Sequence, residues 1–92
     1  MEEEMPMPMS MDWSTEEIVD AVNFFQTIEK AYQQAVVRDD ILALYNRFKE
    51  FVPSKSEEKQ YFKEFDEKTG VSCWKTIQKA KSAEVGEKIK MI

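Results

Sequence analysis

The chain has 92 residues, of which 42% are hydrophobic and 12% aromatic, with 18 acids against 13 bases, one cysteine and no histidine. That is one domain at most, burying about two thirds of the surface its unfolded form exposes, yet it is too apolar to stay disordered. The longest uncharged stretch, Ala21 to Ile28, falls far short of the roughly 20 residues of a membrane span, and a net charge of −5 argues against a dedicated nucleic-acid binder. Missing histidine removes the commonest general base and the commonest metal ligand together.

Two glycines and three prolines are too few for an all-β domain, which needs a turn residue every ten positions or so. The reading is therefore all-α, a small array of three to four helices with an extended N-terminal arm. The chain opens on Glu2, Glu3 and Glu4, not on the positive charge of a secretory signal. Cys73 has no second cysteine to pair with, which suits a reducing compartment, so a cytoplasmic location is expected. Charge is uneven: residues 1–40 hold ten acids against Lys30 and Arg38, whereas residues 41–92 hold eleven bases against eight acids.

Residues 1–12 show no helical period, and Pro6 and Pro8 push Met5 and Met7 toward extended geometry. Ser14-Thr15-Glu16-Glu17 is a capping box that opens the first helix, with Trp13 and Ile18 at hydrophobic-staple spacing. Ile18, Val22, Phe25, Ile28, Tyr32 and Ala35 then predict an inward face over about five to six turns. After Val36-Val37-Arg38, the acids Asp39 and Asp40 suit the positive end of a second helix, which carries Ile41, Leu44, Tyr45, Phe48, Phe51 and Val52 and ends at Pro53.

Ser54-Lys55-Ser56-Glu57 is a second capping box, opening a helix with Tyr61, Phe62 and Phe65 as its apolar positions. Gly70 fits a left-handed helix end, and Ser72 caps a short last helix with Trp74, Ile77 and Ala80 facing inward. The helical domain thus covers residues 13–82. Residues 83–92, thin in large apolar side chains and interrupted by Gly86, are expected to form a loosely ordered tail.

Met11-Asp12-Trp13-Ser14-Thr15-Glu16-Glu17, Phe24-Phe25, Glu29-Lys30-Ala31-Tyr32, Tyr45-Asn46-Arg47-Phe48-Lys49 and Val52-Pro53-Ser54-Lys55 form an ordered series of blocks. Glu57-Glu58-Lys59, Glu64-Phe65, Gly70-Val71-Ser72 and Lys79-Ala80-Lys81 continue it. Together they resemble the YktA-like uncharacterised proteins of Gram-positive bacteria, from about Met11 to Lys81. The resemblance implies a helical bundle of the bacterial cytoplasm and brings no catalytic or ligand residues with it.

The carboxylate pairs Glu16-Glu17, Asp39-Asp40, Glu57-Glu58 and Asp66-Glu67 sit at expected helix ends, and adjacent helical residues diverge by about 100°, so capping and solvation explain them. Cys73 at a helix start invites a reactive-thiol reading, but no histidine activates it and no second cysteine resolves it. Alternating Met5, Met7, Met9 and Met11 would present thioethers on one side of an extended arm, a Cu(I) donor set weaker than the thiolates such sites use. No metal, cofactor or membrane partner is expected.

Lys55, Lys59 and Lys63 repeat every four residues and make a basic stripe, diluted by acids of the same helix. The aromatic residues are more numerous than one small core needs, and neighbours such as Phe24-Phe25, Phe51-Val52 and Tyr61-Phe62 diverge on a helix. The leading expectation is a non-enzymatic protein-interaction or self-association module using surplus aromatic surface near Phe24, Phe51 and Tyr61. The alternative is a weak nucleic-acid or ribosome-associated factor using the face of Lys55, Lys59 and Lys63. An enzyme built on carboxylates and lysines comes third, since no base–nucleophile pair is evident.

Overall fold

Helix α1 (Thr15–Lys30) begins at its capping box: Ser14 Oγ accepts from the Glu17 amide at 3.1 Å, and the Ser14 amide donates back to Glu17 Oε1 at 3.0 Å. A computed structural model describes residues 12–91, so the arm and its methionine alternation lie, Asp12 apart, outside the described residues. After α1 come strand β1 (Val36–Val37), helices α2 (Arg38–Phe51), α3 (Lys55–Thr69) and α4 (Cys73–Ser82), and strand β2 (Lys88–Ile89). The protein is all-α in class, and its two short strands form one antiparallel ribbon that pairs Val36 with Ile89 and Val37 with Lys88.

Each helix boundary has a local cause. Helix α2 lacks a side-chain cap but places Asp39 and Asp40 in its first turn, where they favour the exposed amides, and it ends at Val52 before Pro53. Ser54 caps α3 through the Glu57 amide at 3.4 Å, and Gly70 ends α3 at φ 78°, its amide donating to the Asp66 carbonyl at 2.8 Å. Ser72 caps α4 by accepting from the Lys75 amide at 3.2 Å.

Helix α1 is shorter than its periodicity predicts. It stops at Lys30, and Ala35 lies exposed in the connection to β1. The groups that would have continued the helix are used elsewhere: the Met91 amide donates to the Ala31 carbonyl at 2.8 Å, and the Arg38 amide to the Glu87 carbonyl at 2.8 Å. The buried stripe of α1 and its end is Ala21, Phe24, Phe25, Ile28 and Ala31, one step rotated from the expected one, while Ile18, Val22 and Tyr32 are half-buried.

The tail departs from its expectation for the same reason. Ile89 is 1% exposed and Met91 packs on the core, so β2 is docked against β1 and α4, while residues 84–88 stay exposed. One isoleucine and a few backbone hydrogen bonds close the end of the α1–α2 pair. Periodicity does not reveal such a segment, because its stability comes from pairing distant in sequence.

Phenylalanines dominate the core. Phe24, Phe25, Phe48 and Phe65 are fully buried, and Phe62 is 5% exposed. Phe48 is the hub: its ring lies 5.1 Å from Phe24, 5.5 Å from Phe25, 5.5 Å from Phe51 and 6.0 Å from Phe62. Each buried ring contributes roughly 1.5–3 kcal/mol by leaving water, with some further gain from edge-to-face contacts. Phe24 therefore belongs to the core and not to an exposed patch. Neighbouring Phe24 and Phe25 both find partners, because α1 meets Tyr45 and Phe48 of α2 on one flank and Phe62 and Phe65 of α3 on the other.

Candidate functional site: a lysine-edged groove beside Trp74

Trp13 consumes the rest of the expected aromatic surface. Its ring sits 5.0 Å from Phe51, 5.2 Å from Tyr61 and 6.2 Å from Phe48, leaving Phe51 and Tyr61 half-buried. The proposed partner patch of Phe24, Phe51 and Tyr61 is thus one buried ring and two covered ones. Trp13 is packed, as its staple position predicts, although the rings it meets come from α2 and α3.

The exposed aromatic ring of the described residues is Trp74, predicted to point inward but 42% exposed. Helix α4 buries Cys73, Thr76, Ile77 and Ala80, and that choice turns Trp74 about 100° away from the core. Both spacings, 74-77-80 and 73-77-80, are helical, so periodicity alone had no means to choose between them.

Trp74 overlooks a groove of about 580 Å³ on α3, edged by Lys55, Lys59 and Lys63 and floored by Phe62, with Glu58, Asp66 and Glu67 completing the wall. The predicted lysine stripe is therefore gathered on one side of α3, with all three side chains exposed. Among the described residues none of these lysines has a salt-bridge partner; the ion pairs there are Arg38–Asp39, Arg47–Asp20 and Lys49–Glu58. Lys81 Nζ lies 5.6 Å from the centre of the Trp74 ring and 5.5 Å from that of Tyr45.

Two of the groove's acids, in contrast, are held from inside. Glu58 is 5% exposed, accepts from Tyr45 Oη at 2.9 Å on Oε2 and forms a close ion pair with Lys49 on Oε1. Burial, and then the hydrogen bond to Glu58, pushes the Tyr45 phenol well above its ordinary range, so it remains a neutral donor. Asp66 Oδ1 accepts from the Cys73 amide at 3.0 Å and helps to hold the start of α4. With both Glu58 oxygens occupied and Asp66 engaged at the start of α4, the exposed charge along the groove is that of Lys55, Lys59 and Lys63, with Glu67 beside them.

Cys73 is fully buried, and burial together with the facing Asp66 carboxylate pushes its thiol far above the ordinary range. That side chain is packing material. Glu17 works in its capping box, Asp39 and Asp40 in the first turn of α2, and Glu57 in the first turn of α3, the roles read for these acids from sequence. Glu58 is the exception: nothing in the pair Glu57-Glu58 marked it for burial, and only the approach of Tyr45 and Lys49 shows why it is tolerated. Among the described residues no group of three or more His, Cys, Asp or Glu is placed to hold a metal ion, and no helix is long and apolar enough to cross a membrane.

Fold and site together define a small four-helix protein with a lysine-edged groove on α3. The chain belongs to the uncharacterised protein family UPF0223, whose family model matches residues 4–89, and the resemblance to uncharacterised proteins of Gram-positive bacteria is borne out. It is 58% identical over 74 residues to a UPF0223 protein of Oceanobacillus iheyensis, covering 80% of this chain and 84% of that one. It is also 51% identical over 85 residues to a Bacillus mycoides relative (92% and 93% covered) and 48% identical over 79 residues to one from Staphylococcus haemolyticus (86% and 88% covered). The match extends beyond the blocks legible in the sequence, into the Met-rich arm at one end and through β2 at the other.

Proposed function

We propose that this protein is a non-enzymatic, cytoplasmic interaction module that binds an acidic segment of a partner protein in the groove between α3 and Trp74. The observation that supports this reading is the pairing of an exposed Trp74 with three exposed lysines that have no ion-pair partner among the described residues. A carboxylate-rich segment would meet Lys55, Lys59 and Lys63 by charge while an apolar residue beside it covers Trp74, an aromatic anchor with a charged edge of the kind that carries interface energy. The expected interaction thus moves from the Phe24, Phe51 and Tyr61 patch, which the core occupies, to the opposite flank of α3.

The test is capture of partners by the tagged full-length protein, with the unaltered chain compared against Lys55→Glu/Lys59→Glu/Lys63→Glu and Trp74→Ala. A protein that is retained after nuclease treatment and lost with both variants supports the reading. Material that disappears with nuclease, and whose binding falls steeply with salt, would instead assign the lysine edge to phosphate contacts and make this a nucleic-acid or ribosome-associated factor. Capture unaffected by either variant removes the groove from consideration.

A further inference from the structure

Helix α1 buries Ala21, Phe24, Phe25 and Ile28 and turns Glu16, Val19, Asn23, Gln26 and Lys30 to solvent. Those five recur at alternating intervals of three and four residues, the spacing that lines a seam between two paired helices, so they stand in one row. An acid opens the row and a base closes it. Between them Val19, Asn23 and Gln26 carry no charge, and Val19 is 50% exposed. We propose that this row is a self-association surface, on which α1 pairs antiparallel with α1 of a second copy about a two-fold axis at Asn23. The groove beside Trp74 plays no part, since none of the row's residues lines it.

The row is complementary to itself, which a two-fold interface requires. Glu16 lies seven residues before Asn23 and Lys30 seven after it, so an axis through Asn23 brings Glu16 of each copy opposite Lys30 of the other. A parallel pairing would instead set acid against acid and base against base, which is unfavourable. Asp20, which flanks the row, is already held by Arg47 at 3.1 Å and adds no uncompensated charge. Two copies that each carry a net charge of −5 repel over most of their surface, and an uncharged stretch of helix is where they can approach.

Shape agrees with charge. Beside the row, Asn23, Gln26, Thr27 and Lys30 line a cleft of about 330 Å³ with Leu44 of α2. Val19 precedes Asn23 by four residues and Thr27 follows it by four, so the same axis sets Val19 of one copy against Thr27 of the other, at the cleft whose apolar wall is Leu44. On the axis Asn23 meets its own counterpart. Each amide has both donors and an acceptor, and one such polar residue in a helix seam fixes its register. A seam this short covers less than the roughly 1,200 Å² of a stable complex, so the dimer is weak, with a dissociation constant on the order of 0.1 mM.

The test is sedimentation equilibrium of the full chain from about 10 µM to about 1 mM, a range that brackets such a constant. Glu16→Lys and Lys30→Glu each turn two symmetric attractions into repulsions and should weaken the dimer about tenfold. The chain carrying both changes re-forms the pairs with exchanged signs and should recover the original affinity. Asn23→Cys, which alters no charge, should cross-link to its counterpart under mild oxidation, whereas Gln60→Cys on the exposed side of α3 should not; Cys73 is buried and does not interfere. A monomer at every concentration overturns the proposal. So does a dimer that neither reversal weakens, because its contact then lies elsewhere on the molecule. Losses in the single variants that the double variant does not recover overturn the antiparallel register.

Discussion

The two flanks of α3 use aromatic residues in opposite ways. On one flank Tyr61, with Trp13 and Phe51, closes over the fully buried Phe48, and every ring has ring neighbours within about 6 Å. On the other, Trp74 stands beside three lysines with only Lys81 over its face. The first arrangement excludes water and holds the fold together; the second leaves apolar surface and lysine side chains exposed. A side chain's value to stability and its value to binding are thus separated across one helix, and substitutions should separate them too.

The largest effect is expected at the hub. Phe48→Ala removes a fully buried ring and should cost about 3–5 kcal/mol, much of the margin of so small a domain, read as a collapse of the urea midpoint. A loss under about 1 kcal/mol would mean that the core is far more plastic than its close packing implies. Next, Lys49→Met leaves Glu58 buried with only Tyr45 for company and should cost about 2–3 kcal/mol, the lower part of the buried-pair range because Lys49 is partly exposed. Adding Glu58→Gln should recover most of that loss in a double-mutant cycle, since the uncompensated charge is then gone.

A smaller effect concerns alkaline pH. The native thiol of Cys73 holds its proton to well above the value at which an unfolded cysteine ionises, near 8.5. Above that pH the unfolded chain has lost a proton that the native chain retains. The stability contributed by the buried thiol is therefore complete below about pH 8.5 and declines above it, by at most about 1.4 kcal/mol per pH unit for this one proton. Cys73→Ala should flatten that part of the curve in denaturation midpoints measured from pH 8 to 10, though the variant will be less stable at every pH for loss of packing.

Gly70→Ala should cost about 1 kcal/mol. The φ of 78° is unfavourable for a residue with a Cβ, and a methyl group there meets nothing within 4 Å, so the penalty is conformational and not steric. Smallest of all on stability are Lys55→Glu/Lys59→Glu/Lys63→Glu and Trp74→Ala, expected within about 1 kcal/mol of the unaltered chain because their side chains are exposed. These same variants should abolish partner capture. If they instead unfold the protein, the contrast between the flanks fails and the groove is a structural seam.

Much of this molecule was legible before its structure. The capping box at Ser14, the stop at Pro53, the left-handed Gly70 and the cap at Ser72 depend on contacts within one turn of chain, and each boundary they mark appears where it was read. The alignment of Lys55, Lys59 and Lys63 was equally local, since a four-residue spacing fixes their common side. What escaped were choices between equally periodic faces and pairings across distance: Phe24 inward, Trp74 outward, Glu58 buried, and β2 paired with β1. By itself the sequence determined the helical class, the helix ends other than the close of α1, and the lysine row, because those follow from backbone geometry and side chains a few positions apart. Only the tertiary structure decided which aromatic rings became core and which was left to a ligand, because that depends on which helices meet, and a ring is buried only when another element arrives to cover it.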